Sequence, residues 1–133
     1  MEKAARQIII IEDDPVLRRG LRRIFSGENH RVFDFGDGKT ARDQIRRCPP
    51  DLILCDYKLP DTNGLEILRW LKKNGKKTPF ILITGYFKEE IADQARKNGA
   101  GEVLEKPLDL KLLKKVCRGF LGENIRARNA TSF

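Results

Sequence analysis

Three short stretches of the chain are apolar on consecutive positions, Ile8–Ile11, Leu52–Cys55 and Phe80–Ile83, and a polar residue follows each. A strand with one wet face alternates apolar and polar residues. One that is apolar throughout needs cover on both faces, which parallel sheets obtain from flanking helices. The segments between these runs have helical periodicity. Pro15 opens an amphipathic stretch to about Phe25, and Gly38–Arg47 forms a second that Pro49 and Pro50 stop. Gly64–Leu71 is a third, with Asn63 as N-cap and Gly75 as stop. Lys88–Lys97 ends at Asn98-Gly99, and Leu108–Phe120 places apolar residues 110, 112, 113, 116 and 117 largely on one face. With Gln7–Ile11, Arg31–Phe35 and Glu102–Leu104 read as strands, the chain is five βα units. Short, right-handed crossovers then predict a three-layer, doubly wound α/β fold with a five-stranded parallel sheet.

The 133 residues fit one domain able to bury a core without disulfides or a structural metal. Residues 1–121 are assigned to that domain, and the polar, patternless 122–133 to a C-terminal tail or the start of a linker. Cys48, Cys55 and Cys117 lack the pairing of a zinc site or disulfide framework, which fits a reducing, cytoplasmic setting. The longest apolar runs are far shorter than the ~20 residues of a membrane span, and 1–6 lack the apolar core of a secretory signal. The net charge of +8 admits a nucleic-acid or acidic-protein partner. The simpler account places Arg18, Arg19, Arg22 and Arg23 on one helix's outer face and Lys72, Lys73, Lys76 and Lys77 around a helix end.

The polar residues that interrupt the pattern share one location. Glu12-Asp13-Asp14 follows strand one, Asp56 strand three, Thr84 strand four and Lys106 strand five. Carboxyl ends of strands are where open α/β sheets bind ligands. Carboxylates converging from two strands favour a hard divalent cation, and magnesium takes one or two of them beside a phosphate. A carboxylate can also act as nucleophile and form an aspartyl phosphate. A hydroxyl and an ammonium opposite it suit the phosphoryl oxygens.

These residues, in this order, resemble the response-regulator receiver family of two-component signalling over about Gln7 to Phe120. Ile8–Ile11 with Glu12-Asp13-Asp14-Pro15 is similar to the family's opening strand and acidic pair. Asp56 to Gly64, with Pro60 between, is similar to its phosphoacceptor segment. Thr84-Gly85, Gly99-Ala100 and Lys106-Pro107 complete the match. The resemblance implies a flavodoxin-like sheet of order 2-1-3-4-5, with Asp56 as phosphoacceptor. It implies Mg2+ held directly by Asp13, through water by Glu12, and by Asp56 and the carbonyl of Lys58. Thr84 would hydrogen-bond the phosphoryl group, Lys106 would pair with it, and Lys106–Pro107 would be cis. Asp14 is left as the helix N-cap. The implied partner is a sensor histidine kinase or phosphotransfer protein, and the implied activity is a switch rather than a turnover enzyme. A homodimer on phosphorylation would use helices around 91–97 and 110–116; nucleic acid would be reached only through an effector domain outside this chain. One position departs from the family: three residues before Lys106, where an aromatic ring commonly moves on activation, stands Val103. Lys58 and Tyr86, two beyond Asp56 and Thr84, flank the site and would control water's access to the acyl phosphate.

Two further readings belong to other classes: a receiver-shaped interaction module that is not phosphorylated, and a nucleic-acid binder acting through its basic faces. Gly36-Asp37-Gly38-Lys39-Thr40 tempts a phosphate-loop reading, but Phe33 stands where that motif needs glycine. His30 is the sole histidine and reads as a surface residue at a strand start, which excludes histidine dyads and clusters. Trp70 falls on its helix's apolar stripe and reads as packing.

Overall fold

The computed structural model describes residues 5–27, 29–86 and 88–122. The proposed tail lies almost entirely outside the described residues. The strands are β1 (Arg6–Ile11), β2 (His30–Phe35), β3 (Leu52–Asp56), β4 (Phe80–Thr84) and β5 (Glu102–Glu105). The helices are α1 (Pro15–Phe25), α2 (Gly38–Arg47), α3 (Gly64–Lys73), α4 (Glu89–Lys97) and α5 (Leu110–Phe120). All pairings are parallel and the order is β2-β1-β3-β4-β5, as the resemblance implied.

The consecutive apolar runs divide between two cores because successive side chains leave a strand on opposite faces. Ile9, Ile11, Ile53, Cys55, Phe80 and Leu82 pack under α2, α3 and α4. Ile8, Ile10, Leu52, Leu54, Ile81 and Ile83 pack under α1 and α5. Every residue of β3 and β4 is buried, and each large aliphatic side chain removed from water contributes about 1.5–3 kcal/mol before entropic costs.

Helix starts follow the caps. Asp14, Asp37, Asn63 and Asp109 each accept from a backbone N–H of the first turn, whereas Lys88 at the head of α4 offers no side-chain cap.

Three sequence expectations change. Leu110 and Leu112 are 48% and 45% exposed, so α5 buries the narrower stripe led by Leu113 and Cys117. Arg18 and Arg22 do not simply face solvent: both bond to Asp34 on β2, Arg18 through Nε at 3.1 Å. His30 is half-buried, its Nδ1 3.0 Å from the Phe25 carbonyl and its ring tilted against Phe25.

Candidate functional site at the carboxyl edge of the sheet

Each strand delivers its polar residue at the point where its ladder ends. The Glu12 N–H donates to the Phe35 carbonyl at 2.9 Å, so Glu12 is held as if β1 continued one residue. Asp56 is the last residue of β3, in register with Ile83, and the Tyr57 N–H still reaches the Ile83 carbonyl at 2.7 Å. Thr84 closes β4, and the Lys106 N–H donates to its carbonyl at 2.8 Å. The Lys106–Pro107 peptide is cis.

Behind Asp56 the chain turns sharply into α3. The Gly64 N–H donates to the Tyr57 carbonyl at 2.7 Å, and a Cβ on Gly64 would stand 2.9 Å from the Asp56 carbonyl oxygen and 2.5 Å from Leu82 Cδ1. Only glycine permits that approach of helix to strand end.

Carboxylate oxygens of Glu12, Asp13 and Asp56 lie within 4.8 Å of one another. Glu12 and Asp56 are buried and Asp13 is exposed. One ammonium answers the two buried ones: Lys106 Nζ stands 2.9 Å from Glu12 Oε1 and 3.1 Å from Asp56 Oδ2. Glu12 Oε2 accepts the Asp14 N–H at 3.1 Å, while buried Oε1 lacks a well-directed hydrogen bond despite the nearby ammonium. Burial raises the Glu12 carboxyl above 4.5, and neighbouring Asp56 adds to this; Lys106 and the Asp14 amide only partly offset them. Burial pulls the Lys106 ammonium the other way, but Glu12 and Asp56 outweigh it and hold it above 10.5. A clustered oxygen donor set with excess negative charge and one underused buried oxygen fits a hard divalent cation.

Asp13, Asp56, Thr84, Tyr86 and Lys106 line an open cleft of about 460 Å3 with Tyr57 and Lys58. Thus four strand ends each bring a polar side chain to one cavity, and Glu12 adjoins it through Lys106. The Thr84 hydroxyl accepts the Tyr86 N–H at 3.0 Å. Tyr86 is 69% exposed, with the Lys88 ammonium 4.8 Å from its ring centroid. Asp14 is the α1 cap, its Oδ1 accepting the Val16 N–H at 3.0 Å. Val103 is buried in the core beneath α4 rather than standing at the surface.

Two supporting residues were not found in the sequence. Arg18 Nη1 donates to the Glu12 carbonyl at 2.9 Å and so ties down the turn that carries the acids. Gly36 leaves it room, since a Cβ there would lie 2.8 Å from that nitrogen. Asp61 accepts the Gly38 and Lys39 N–H groups, each at 2.9 Å, and thereby links the loop after Asp56 to the start of α2. Slight burial of Asp61 acts to raise its carboxyl, but those amides prevail and hold it below 3.8.

Comparison with known proteins agrees with this geometry. The family description "Response regulator receiver domain" matches residues 8–118. The chain is 33% identical to the response regulator protein PilR of Pseudomonas aeruginosa over 108 residues, which are 81% of this chain and 24% of that protein. It therefore spans about a quarter of the length of that relative. It is 28% identical to sporulation initiation phosphotransferase F of Bacillus subtilis, across 86% of this chain and 93% of that one. Among solved structures, a CheY-like response regulator receiver domain protein from Methanospirillum hungatei superposes with a TM-score of 0.81 at 25% identity, covering 92% of this chain and 98% of that one.

Proposed function

Since this chain belongs to the response regulator receiver domain family of two-component signalling, we propose that Asp56 is its phosphoacceptor. The observation that carries this reading is the ion pair of Lys106 with Asp56 at 3.1 Å, in a cleft that also holds Thr84 and Asp13, with Glu12 close to both acids. An Asp56 oxygen attacks phosphorus as the bond from phosphorus to the donor breaks. The donor is a phosphohistidine nitrogen of a sensor kinase or phosphotransfer protein, and the nitrogen leaves with its electron pair. Lys106 neutralises charge on the phosphoryl oxygens, and Thr84 donates its hydroxyl proton to one of them.

Asp13 and Asp56 would hold Mg2+ directly, with Glu12 acting through water and the Lys58 carbonyl completing the protein's share. The ion supplies neutralisation of the clustered carboxylates and of the transferring group. Lys58 and Tyr86 at the cleft mouth govern how readily water reaches the acyl phosphate. The chain acts as a switch in the cytoplasm, with residues 1–121 as the receiver unit. Exposed Leu110 and Leu112 on α5, together with α4 across the β5 edge, form a face for homodimerisation on phosphorylation, which sedimentation with and without a phosphoryl mimic tests. Any contact with nucleic acid through an effector belongs to a longer protein.

The test is intact mass after incubation with a small acyl-phosphate donor, with and without magnesium, on wild type and Asp56→Asn. A single magnesium-dependent phosphoryl adduct, absent in the variant, is expected. Its absence from folded wild type would leave the second reading, an unphosphorylated interaction module. Buried Val103 at the position of the family's moving ring favours that alternative.

A further inference from the structure

Each βα unit runs its helix back antiparallel to its strand, so all five helices end at the edge opposite Asp56. Each carries cations in its last turn: Arg22 and Arg23, Arg46 and Arg47, Lys72 and Lys73, Arg96 and Lys97, and Arg118. Complementing a helix dipole accounts for a cation near each C-terminus. It does not account for Lys76 and Lys77, which follow the turn at Gly75 and extend the positive edge toward β4. Among the described residues Lys73, Lys76 and Lys77 have no carboxylate partner. Lys72 and Lys97 meet only each other's element, through a long 3.5 Å contact from Lys72 Nζ to the Lys97 carbonyl.

This charge surrounds a concavity. A cleft of about 410 Å3 opens where α3 and α4 end, with Lys72, Lys76, Lys77, Arg96 and Lys97 around its rim. Its floor is apolar, formed by Leu68, Leu71, Pro79 and the ring of Phe120. Phe120 is 38% exposed and rests on Gly101, where a Cβ would stand 2.4 Å from the ring. Among the described residues no carboxylate lines this cleft. Arg96 reaches Asp93 only at 3.8 Å, between two exposed side chains, a contact worth little.

We infer that this cleft docks an acidic segment of a partner protein, with an apolar side chain seated against Phe120 and carboxylates answering the lysine rim. Charge complementarity selects the partner's sign, and the floor selects an apolar anchor. The helix ends facing the cleft select a peptide over nucleic acid. They are C-termini, their last carbonyls mostly bonded by the turns that follow, whereas phosphates bind at helix N-termini. The chain's own residues 123–133 do not suit the cleft, since Arg126 and Arg128 outnumber Glu123. The cleft lies at the opposite ends of the strands from Asp56, so docking leaves the phosphoacceptor open.

The test uses the full chain, a fluorescent peptide of glutamates flanking a Phe-Leu pair, a second peptide with serines in place of that pair, and a short labelled DNA. Anisotropy at low salt is expected to show the Phe-Leu peptide binding at least about tenfold more tightly than either other probe. Lys76→Glu/Lys77→Glu should weaken it by at least about tenfold, and so should the separate variant Phe120→Ser. Phosphorylation of Asp56, followed by mass, should be unchanged in the lysine variant, which verifies its fold. Absence of peptide binding, equal binding of the serine peptide, binding that survives the lysine reversal, or tighter binding of DNA would each overturn the inference. The separate phosphorylation readout keeps such a failure distinct from any failure of the Asp56 reading.

Discussion

Lys106 reaches across fifty positions of sequence to donate from Nζ to Asp56 Oδ2 at 3.1 Å, and the same ammonium stands 2.9 Å from Glu12. It is the one cation among the described residues that pairs with these clustered carboxylates. A group fixed where charge develops is worth far more than a mobile surface lysine. Lys106→Ala should slow formation of the Asp56 adduct by on the order of 10²-fold. A time course of intact mass at fixed acyl-phosphate donor measures it, and an unchanged rate would remove Lys106 from the reaction.

The same bridge has a signature in alkaline solution. Burial lowers the Lys106 ammonium, but Glu12 and Asp56 more than compensate and hold it above 10.5. A lysine raised in the folded state stabilises fully below its unfolded value, and that contribution disappears as pH rises through the higher folded value. In metal-free buffer, the stability gap between wild type and Lys106→Met should be flat from neutral pH to 10.5 and shrink above it. Urea midpoints across that range provide the measurement, and a gap that widens above 10.5 contradicts the assignment.

The strand-end residues were legible because each breaks an apolar run at the place where a buried strand meets solvent. Glu12, Asp56 and Thr84 needed only that pattern, and Lys106 needed the order of the elements. Arg18 and Asp61 were not legible, because their roles are contacts between elements. Arg18 serves Glu12 and Asp34 only once β2 lies beside β1. Asp61 serves the head of a helix more than twenty residues earlier. Leu110 and Leu112 were misassigned for a related reason. Helical periodicity gives an apolar arc, but only the packed sheet determines how wide an arc is covered.

Asp61 joins the loop after Asp56 to the start of α2, so its loss should weaken that link. Asp61→Ala removes an acceptor for two N–H groups at a helix start and should destabilise the fold by about 1 kcal/mol. With its carboxyl held below 3.8 by those amides, its contribution is present above 3.8 and is lost as pH falls through the lower folded value. Wild type and variant should therefore converge in stability toward strong acid. Equal melting temperatures at neutral pH would show that other donors and water replace the cap.

Gly64 is constrained by backbone as well as by a side chain. In Gly64→Ala the new methyl meets the Asp56 carbonyl oxygen at 2.9 Å and Leu82 Cδ1 at 2.5 Å. Relief requires α3 to move away from the end of β3, an overpacking cost of about 1–3 kcal/mol. The displaced segment carries Asp56, so adduct formation should slow along with the loss of stability. Thermal unfolding and the mass time course on one preparation check both, and a stable, fully active variant would contradict the tight approach.

Thr84 and Tyr86 bear on how the switch is read. The Thr84 hydroxyl accepts the Tyr86 N–H at 3.0 Å. Threonine moves between discrete χ1 rotamers, so a turn toward a phosphoryl oxygen carries Oγ1 away from that amide. The Tyr86 N–H then needs another acceptor, and the exposed ring with its Lys88 contact must move with it. Val103, packed in the core beneath α4, has no ring to follow. With the phosphoryl mimic beryllofluoride, the Tyr86 amide resonance should shift strongly and the Val103 methyls little. Thr84→Val keeps the side chain's shape but lacks the hydroxyl, so it should abolish the Tyr86 shift while the variant stays folded. A large Val103 shift with Tyr86 unmoved would place the readout on β5 instead, and Thr84 to Tyr86 would then be only the wall of the cleft.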